Sequence, residues 1–359
     1  MITQTATKTE IGENKQVTNI EPSQSQLNLS SSPHIRHPQS VSNIMLWVVI
    51  ALVPAFIGSF LFFGWRAIFL TCVSVTFAVT TEYLIVHLTK KPKTIGNFSA
   101  VITGILLAFN VSPTLPWWML AIGSVFAVGV AKMAFGGLGS NFINPALAGR
   151  AFLMASYPAA MTSWVAPQGI ISGTLSGFDG LTSATPLALF KNAEITGTLQ
   201  NLNIQDSLLN LFIGNVGGCI GETSALALLI GALILWQRRI IGFRIPVIYI
   251  GTVFFLFWLF NGTGNHFTSA AAFIPLYQIL SGGLFLGAIF MATDMVTSPI
   301  TPAGKLYFAL GCGLLTFIIR KFGGYPEGVS YSILIMNLFV PLIERYTRPP
   351  VYGKVKKRG

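Results

Sequence analysis

The sequence predicts an all-α polytopic membrane protein of about ten transmembrane helices, arranged as two inverted five-helix repeats with broken helices. Three observations carry this. Of 359 residues, 52% are hydrophobic and only 9% are charged, whereas a soluble domain has about 25% charged residues. The apolar residues come in long runs rather than amphipathic stripes. The two halves of the chain also carry matching interruptions. The net charge of +11 does not point to nucleic acid, because the basic residues flank apolar runs, which is the pattern of membrane topology.

Residues 1–42 are polar, rich in Ser, Gln, Asn and Thr, and lack the apolar centre of a signal peptide, so they read as an uncleaved disordered tail on the cytoplasmic side. Residues 43–157 form the first repeat. Its spans run Ile44 to Gly64, with Arg66 at a tight turn, and then Ala67 to Leu88, closed by Lys90, Lys91 and Lys93. Phe98 to Val111 is too short to span comfortably and ends in Ser112-Pro113, which suits a tilted or half-helix. Trp117 to Ala131 follows, with Lys132 assigned to the cytoplasmic flank. A Gly-rich break at Phe135-Gly136-Gly137 leads into Ile143 to Tyr157.

Residues 158–206 form a polar interior segment that the crossing count places outside. The second repeat occupies 207–344. Leu208 to Ile220 reads as re-entrant or surface-lying. Ser224 to Trp236 crosses inward to Arg238, Arg239 and Arg244. Ile245 to Phe260, Ile274 to Met291, Leu306 to Ile319 and Val329 to Ile343 complete the spans, and 345–359 is a basic cytoplasmic tail. Arg320 and Lys321 fall on the outer side, against the positive-inside pattern.

A shift of about 186 residues aligns Ser112-Pro113 with Ser298-Pro299, and Phe135-Gly136-Gly137 with Phe322-Gly323-Gly324. Chance agreement in a chain with 36 glycines is the competing explanation. Five spans per half require the second copy to be inverted, as in many transporters. Inversion would also bring Arg320 and Lys321 to the place that Lys132 holds in the first half. On this pattern alone, a secondary transporter or channel is a live alternative, as is a scaffold subunit with a vacant loop.

The interior segment holds Asp179-Gly180-Leu181-Thr182-Ser183-Ala184-Thr185-Pro186. Thr185 followed by Pro186 reads as an N-cap and an N1 proline, so a short helix should begin there. Free N–H groups at such a terminus favour an anion. An ordinary capped surface helix explains the same residues. Asp294, Glu82 and Glu222 lie in or beside apolar runs, where acids are costly and often functional; each is a candidate for an ion pathway or an interfacial residue. His87 ends a span and reads as interfacial. Asn141, Asn144, Gly136, Gly137, Gly323, Gly324 and Tyr325 lie at the two breaks, where they either line a cofactor or ion cavity or permit helix crossing. Cys72, Cys219 and Cys312 have no partner at ligand spacing, which argues against a metal site built by this chain alone. No Gly-rich dinucleotide fingerprint follows a strand, so the chain has no catalytic group of its own to assign.

Asp179-Gly-Leu-Thr-Ser-Ala-Thr185 resembles the acceptor sequence of flavin transferases. Gly136 to Leu147, Phe322 to Val329, and the ending Tyr346-Thr-Arg-Pro-Pro-Val-Tyr-Gly353 resemble the D subunits of Rnf electron-transport complexes. The likeness runs in order from about residue 40 to 353 and extends more weakly to the B subunits of sodium-pumping NADH:quinone reductases. Ser183 stands where many acceptor motifs have Gly, and the N-terminal tail is long for the family. The resemblance implies FMN joined through a phosphoester to Thr185, with Asp179, Thr182 and Ser183 in the motif that the transferase reads. It also implies a second, non-covalent riboflavin within the spans and other Rnf subunits as partners. The role implied is electron relay between NADH- and ferredoxin-linked centres, coupled to Na⁺ or H⁺ movement. The setting implied is the bacterial inner membrane, with the flavin loop on the periplasmic side.

Overall fold

A computed structural model describes residues 40–90, 95–167, 184–196, 204–260, 269–324 and 327–348. Among these the chain is helical throughout its regular structure. Asp179, Thr182, Ser183 and Tyr325 lie outside the described residues.

Helix α1 (Val41–Phe63) starts at the N-cap Ser40, whose hydroxyl accepts from Asn43 N at 3.2 Å. Helicity thus begins slightly before the predicted end of the polar tail. Gly64, with φ of 65°, ends α1 and opens α2 (Trp65–Leu88). Arg66 then donates to the carbonyls of Pro113 at 2.5 Å and Thr114 at 3.1 Å. It ties the start of α2 to the break after α3 (Ser99–Phe109). Helix α4 (Trp117–Val128) passes into a π-helical turn, Gly129–Met133. A glycine-rich break follows, with φ of 118° at Gly136 and 98° at Gly137. Helix α5 (Pro145–Ser156) is capped by Asn144, and α6 (Pro158–Met161) is a single turn.

Helices α7 (Pro186–Thr196) and α8 (Ile204–Ile213) are followed by α9 (Ala225–Gln237) and α10 (Arg244–Leu259). Then come α11 (Ser269–Leu280), α12 (Leu284–Leu286) with a π-helical turn Gly287–Met291, α13 (Pro302–Phe322) and α14 (Val329–Tyr346).

Two of the expected elements are interrupted. The span read as Ile274 to Met291 is bent by 66° at a break between Leu280 and Leu284. Gly282 there has φ of 70°, a left-handed conformation that glycine adopts without strain and that a helix cannot contain. The run Leu208 to Ile220 is helical only as far as Ile213. Gly214, at φ of 113°, ends it, and residues 214–224 are unwound.

The core is apolar, and unlike that of a soluble protein much of the surface is apolar too. Large apolar side chains such as Val53, Ile57, Phe69, Leu233, Val247 and Phe255 are exposed on outer faces, while Glu82, Lys132, Arg150, Glu222 and Glu327 are buried. Helices α1, α2 and α13 are each long and apolar enough to cross a membrane, and the bent α11–α12 pair is a fourth if taken as one broken span. Helix α1 packs on α9, α2 on α3 and α4, α4 on α5, α10 on α11 and α13, and α13 on α14. The α1–α9 contact is close enough that a Cβ on Gly231 would lie 2.2 Å from the carbonyl oxygen of Ala51. Unwound backbone from the two halves also pairs directly: Ile220 N donates to Val111 O and Gly221 N to Phe109 O, both at 3.0 Å. The Ser59 hydroxyl donates to Ile220 O at 2.7 Å.

Candidate functional site

Thr185 is where the Thr-Pro pair predicts, at the N-cap of α7. Its hydroxyl oxygen accepts from Ala188 N at 3.2 Å, and its carbonyl accepts from Leu189 N at 2.9 Å. Pro186 occupies N1, where its missing N–H costs nothing. The sequence suggested a cap on a polar loop. The structure instead packs it inward: Thr185 is 4% exposed.

The inner face of α7 explains the burial. Leu187, Phe190 and Ala193 recur at helical spacing and are buried. Phe190 lies against Tyr277 of α11, with ring centroids 5.5 Å apart, and both join Leu211 in a small apolar cluster. The Tyr277 hydroxyl donates to Pro186 O at 3.0 Å. The outer rim is polar. Lys191 Nζ donates to the carbonyls of Arg320, at 3.4 Å, and Gly323. Lys321 pairs with Glu194. Lys191 therefore places an ammonium on the free carbonyls at the C-terminal end of α13, where a cation is favoured.

Beside Thr185 is a cleft lined also by Gly217, Gly218, Thr223, Gly282, Glu222 and Glu327. Both carboxylates belong to a buried ion cluster centred on Arg150 of α5. Its guanidinium donates to Glu222 at 2.8 Å, to Asn110 Oδ1 at 2.6 Å, and to Glu327. Cys219 Sγ is 3.7 Å away. A second arginine, Arg320, donates to Gln278 O at 2.5 Å and Ser281 O at 3.2 Å. Gly282 and Gly283 run between the two arginines. A Cβ at Gly282 would be 3.3 Å from Arg320, and one at Gly283 would be 2.3 Å from Glu222. Two guanidiniums thus balance two carboxylates inside the protein, which is how buried charge is tolerated. The ligand atoms of Cys219, Glu222 and Glu327 lie within 4.8 Å of one another. Arg150, which contacts all three, already supplies the cation that such a set would otherwise need.

A second polar site lies in another cleft. Lys132, predicted as a cytoplasmic flank, is buried within the protein, in the π-helical turn after α4. Its ammonium donates to Glu82 and to Ser99 Oγ, both at 2.7 Å. It lines the cleft together with Asp294, Asn141 and Asn144. Asp294 accepts from Thr297 Oγ1 at 3.1 Å and Val296 N at 3.4 Å. Asn144 caps α5 and donates to Met291 O at 3.3 Å.

The three acids singled out from sequence therefore separate. Glu82 and Asp294 share the neighbourhood of Lys132, whereas Glu222 belongs with Thr185. His87 is exposed at the end of α2, stacked on Tyr83 with centroids 6.0 Å apart. Sequence reasoning missed Arg150 and Glu327. The signal for Arg150 was present, as a charge inside the apolar run Ile143 to Tyr157. Glu327 shows its role only once the fold brings it 177 residues along the chain to Arg150.

Comparison with known proteins gives a consistent picture. A family model described as "NQR2, RnfD, RnfE family" matches residues 28–353. The chain is 49% identical over 337 residues to the D subunit of the Na(+)-translocating ferredoxin:NAD(+) oxidoreductase complex of Acetobacterium woodii, covering 93% of this chain and 98% of the relative. It is 45% identical over 326 residues to the proton-translocating counterpart of Clostridium ljungdahlii, covering 90% and 96%. The D subunit of an ion-translocating oxidoreductase complex of Stutzerimonas stutzeri is 40% identical, covering 88% and 93%. The chain belongs to the NQR2, RnfD, RnfE family.

Proposed function

We propose that this chain is the membrane subunit of an Rnf-type electron-transport complex in a bacterial inner membrane. It carries FMN on Thr185 through a phosphoester and relays electrons between NADH- and ferredoxin-linked centres held by other subunits, coupled to movement of Na⁺ or H⁺. The observation that carries the reading is Thr185 itself. A hydroxyl at the end of a flavin-acceptor motif caps a helix and opens on a cleft beside a buried ion cluster.

The residues fit an attached phosphate in kind. The α7 N-terminus offers backbone N–H groups to an anion. Gly217, Gly218 and Gly282 leave one side of the cleft without side chains. Arg150 holds both nearby carboxylates and so limits their repulsion of a phosphate. FMN, when attached, would supply electron acceptance and donation, while the protein supplies its placement and surroundings.

The cleft of Lys132, Asp294, Asn141 and Asn144 is the better place for a non-covalent riboflavin. It combines an apolar wall from Ile44, Val48 and Leu106 with a few convergent polar groups, the usual make-up of a cofactor site. Glu82, Asp294 and Glu222 remain the proposed ion-pathway acids. Overall likeness does not choose the ion, because the sodium- and proton-translocating relatives are 49% and 45% identical.

Ten spans in two inverted repeats suit the packing pattern. The order α1, α2, α3, α4, α5 parallels α9, α10, α12, α13, α14. Helix α2 meets α4 as α10 meets α13, and α4 meets α5 as α13 meets α14. Helices α3 and α12 sit at the corresponding breaks, each followed by a Ser-Pro. With that arrangement the Thr185 segment belongs on the periplasmic side.

The test is covalent flavin. Made together with a flavin transferase, the chain should keep yellow fluorescence through a denaturing gel, and peptide mapping should find FMN on Thr185. Thr185→Ala should abolish the signal. A wild-type band without fluorescence would overturn the reading.

A further inference from the structure

We propose that α7 is a docked latch over Thr185, and that the contacts of Lys191 and Glu194 with the end of α13 set the rate at which a flavin transferase reaches the Thr185 hydroxyl. This rests on the flavin reading of Thr185 given above. It begins from a conflict between the chemistry and the burial. In the transfer, Thr185 Oγ1 attacks the phosphorus of the FMN half of FAD. The O–P bond to Thr185 forms and the pyrophosphate P–O bond breaks. AMP leaves with the bonding pair, and the hydroxyl proton passes to a base on the transferase. No electron changes hands. An enzyme doing this must enclose the acceptor hydroxyl, yet Thr185 is 4% exposed. Its oxygen is engaged by Ala188 N, and the next carbonyl, of Pro186, is held by Tyr277. While α7 is seated, the acceptor faces only the narrow inner cleft and offers nothing to an enzyme outside.

The helix must therefore lift, and its contacts divide into two kinds. Leu187, Phe190 and Ala193 form an apolar grip that returns α7 to its seat. Apart from the Tyr277 bond at its first residue, the polar contacts of the helix lie at the rim. Lys191 holds the carbonyls of Arg320 and Gly323, and the Glu194–Lys321 pair has side chains 34% and 28% exposed. A rim ion pair of this exposure contributes little to global stability. It still counts in the small free-energy difference between seated and lifted α7, a local opening of the kind that precedes global unfolding. Opening presents the hydroxyl, the transferase acts, and closing returns the loaded residue to the cleft beside Arg150. The same closure shields the finished phosphoester from attack.

The experiment uses the unmodified full-length chain, produced in a host without a flavin transferase and reconstituted in nanodiscs. Purified transferase, FAD and Mg²⁺ are added, and the initial rate of gel-stable fluorescence is measured. Lys191→Met with Glu194→Gln should raise that rate roughly fivefold, the combined effect of two weak rim contacts. Glu194→Cys with Lys321→Cys, in a Cys72→Ser background and bridged by a short bismaleimide, should lower it at least tenfold relative to either single cysteine treated alike. Amide exchange of residues 186–196 in unmodified protein, with no transferase present, should speed up in the first variant and slow down in the second. Equal labelling rates in the loosened, wild-type and bridged proteins would overturn the latch. Exchange that follows the latch, with no labelling in any protein, would instead overturn the flavin assignment and leave the latch standing.

Discussion

Replacing Arg150 by Met removes a guanidinium that donates to both Glu222 and Glu327. Arg150, Glu222 and Glu327 are 5%, 5% and 7% exposed, so water cannot take over its role. Breaking a buried pair by deleting one partner costs about 3–5 kcal/mol, because the remaining charge stays buried. Arg150 serves two carboxylates and Asn110, which places the expected loss at the upper end. Each kcal/mol corresponds to about 2–4 °C in a domain of 150–250 residues and to less in a longer chain. The detergent-solubilised Arg150→Met protein should therefore unfold roughly 5–10 °C below wild type. The double variant Arg150→Met, Glu222→Gln removes one carboxylate along with the cation and leaves Glu327 to balance Arg320, so it should regain more than half of the loss. Thermal unfolding followed by fluorescence-detected size exclusion measures both. If Arg150→Met melts with wild type, or the double variant falls below the single one, the charge argument is wrong.

Lys132→Met takes the ammonium away from Glu82, which is 1% exposed, and should cost about 3–5 kcal/mol; adding Glu82→Gln should restore most of it in the same melting assay. Gly231→Ala would set a Cβ 2.2 Å from Ala51 O and should cost about 1–3 kcal/mol by overpacking the α1–α9 contact. Gly251→Ala, with nothing within 4 Å of the new Cβ, should instead be neutral or stabilise by up to about 1 kcal/mol, so the two alanines should move the melting point in opposite directions. Tyr249→Phe deletes the hydroxyl shared with Thr316 at 2.7 Å and Ser332 at 2.8 Å, and unfolding should become easier by about 1–3 kcal/mol.

Local chemistry made much of this fold readable. Asn144-Pro145, Thr185-Pro186 and Thr301-Pro302 each begin a helix, because a short polar cap followed by proline satisfies a helix start whatever lies around it. Long apolar runs marked α1 and α2 closely. What stayed hidden depended on distant partners. The run from Ile274 to Met291 is apolar enough for one span, and only its contacts with Arg320 and Glu222 show why Ser281 to Gly283 must be unwound. Lys132 carried the charge expected of a cytoplasmic flank. Its true setting follows from Glu82, 50 residues earlier. Intramembrane charge is a signal in itself. Applied to Arg150, it would have found the centre of the ion cluster without the fold.

The paired backbone at Phe109–Val111 and Ile220–Gly221 constrains how the molecule can move. Peptide groups unwound within a bilayer have no water to turn to, and here each half supplies the partner that the other lacks. Sliding or rocking one half against the other would strand those groups on both sides, with the Ser59 bond lost as well. The seam thus acts as a rivet. It favours a rigid frame that keeps embedded groups at fixed separation over a carrier that swings open alternately to each side. It also implies that the N-terminal half, expressed without the C-terminal half, should fail to hold its own fold in lipid, and that supplying the missing half as a separate chain should rescue it.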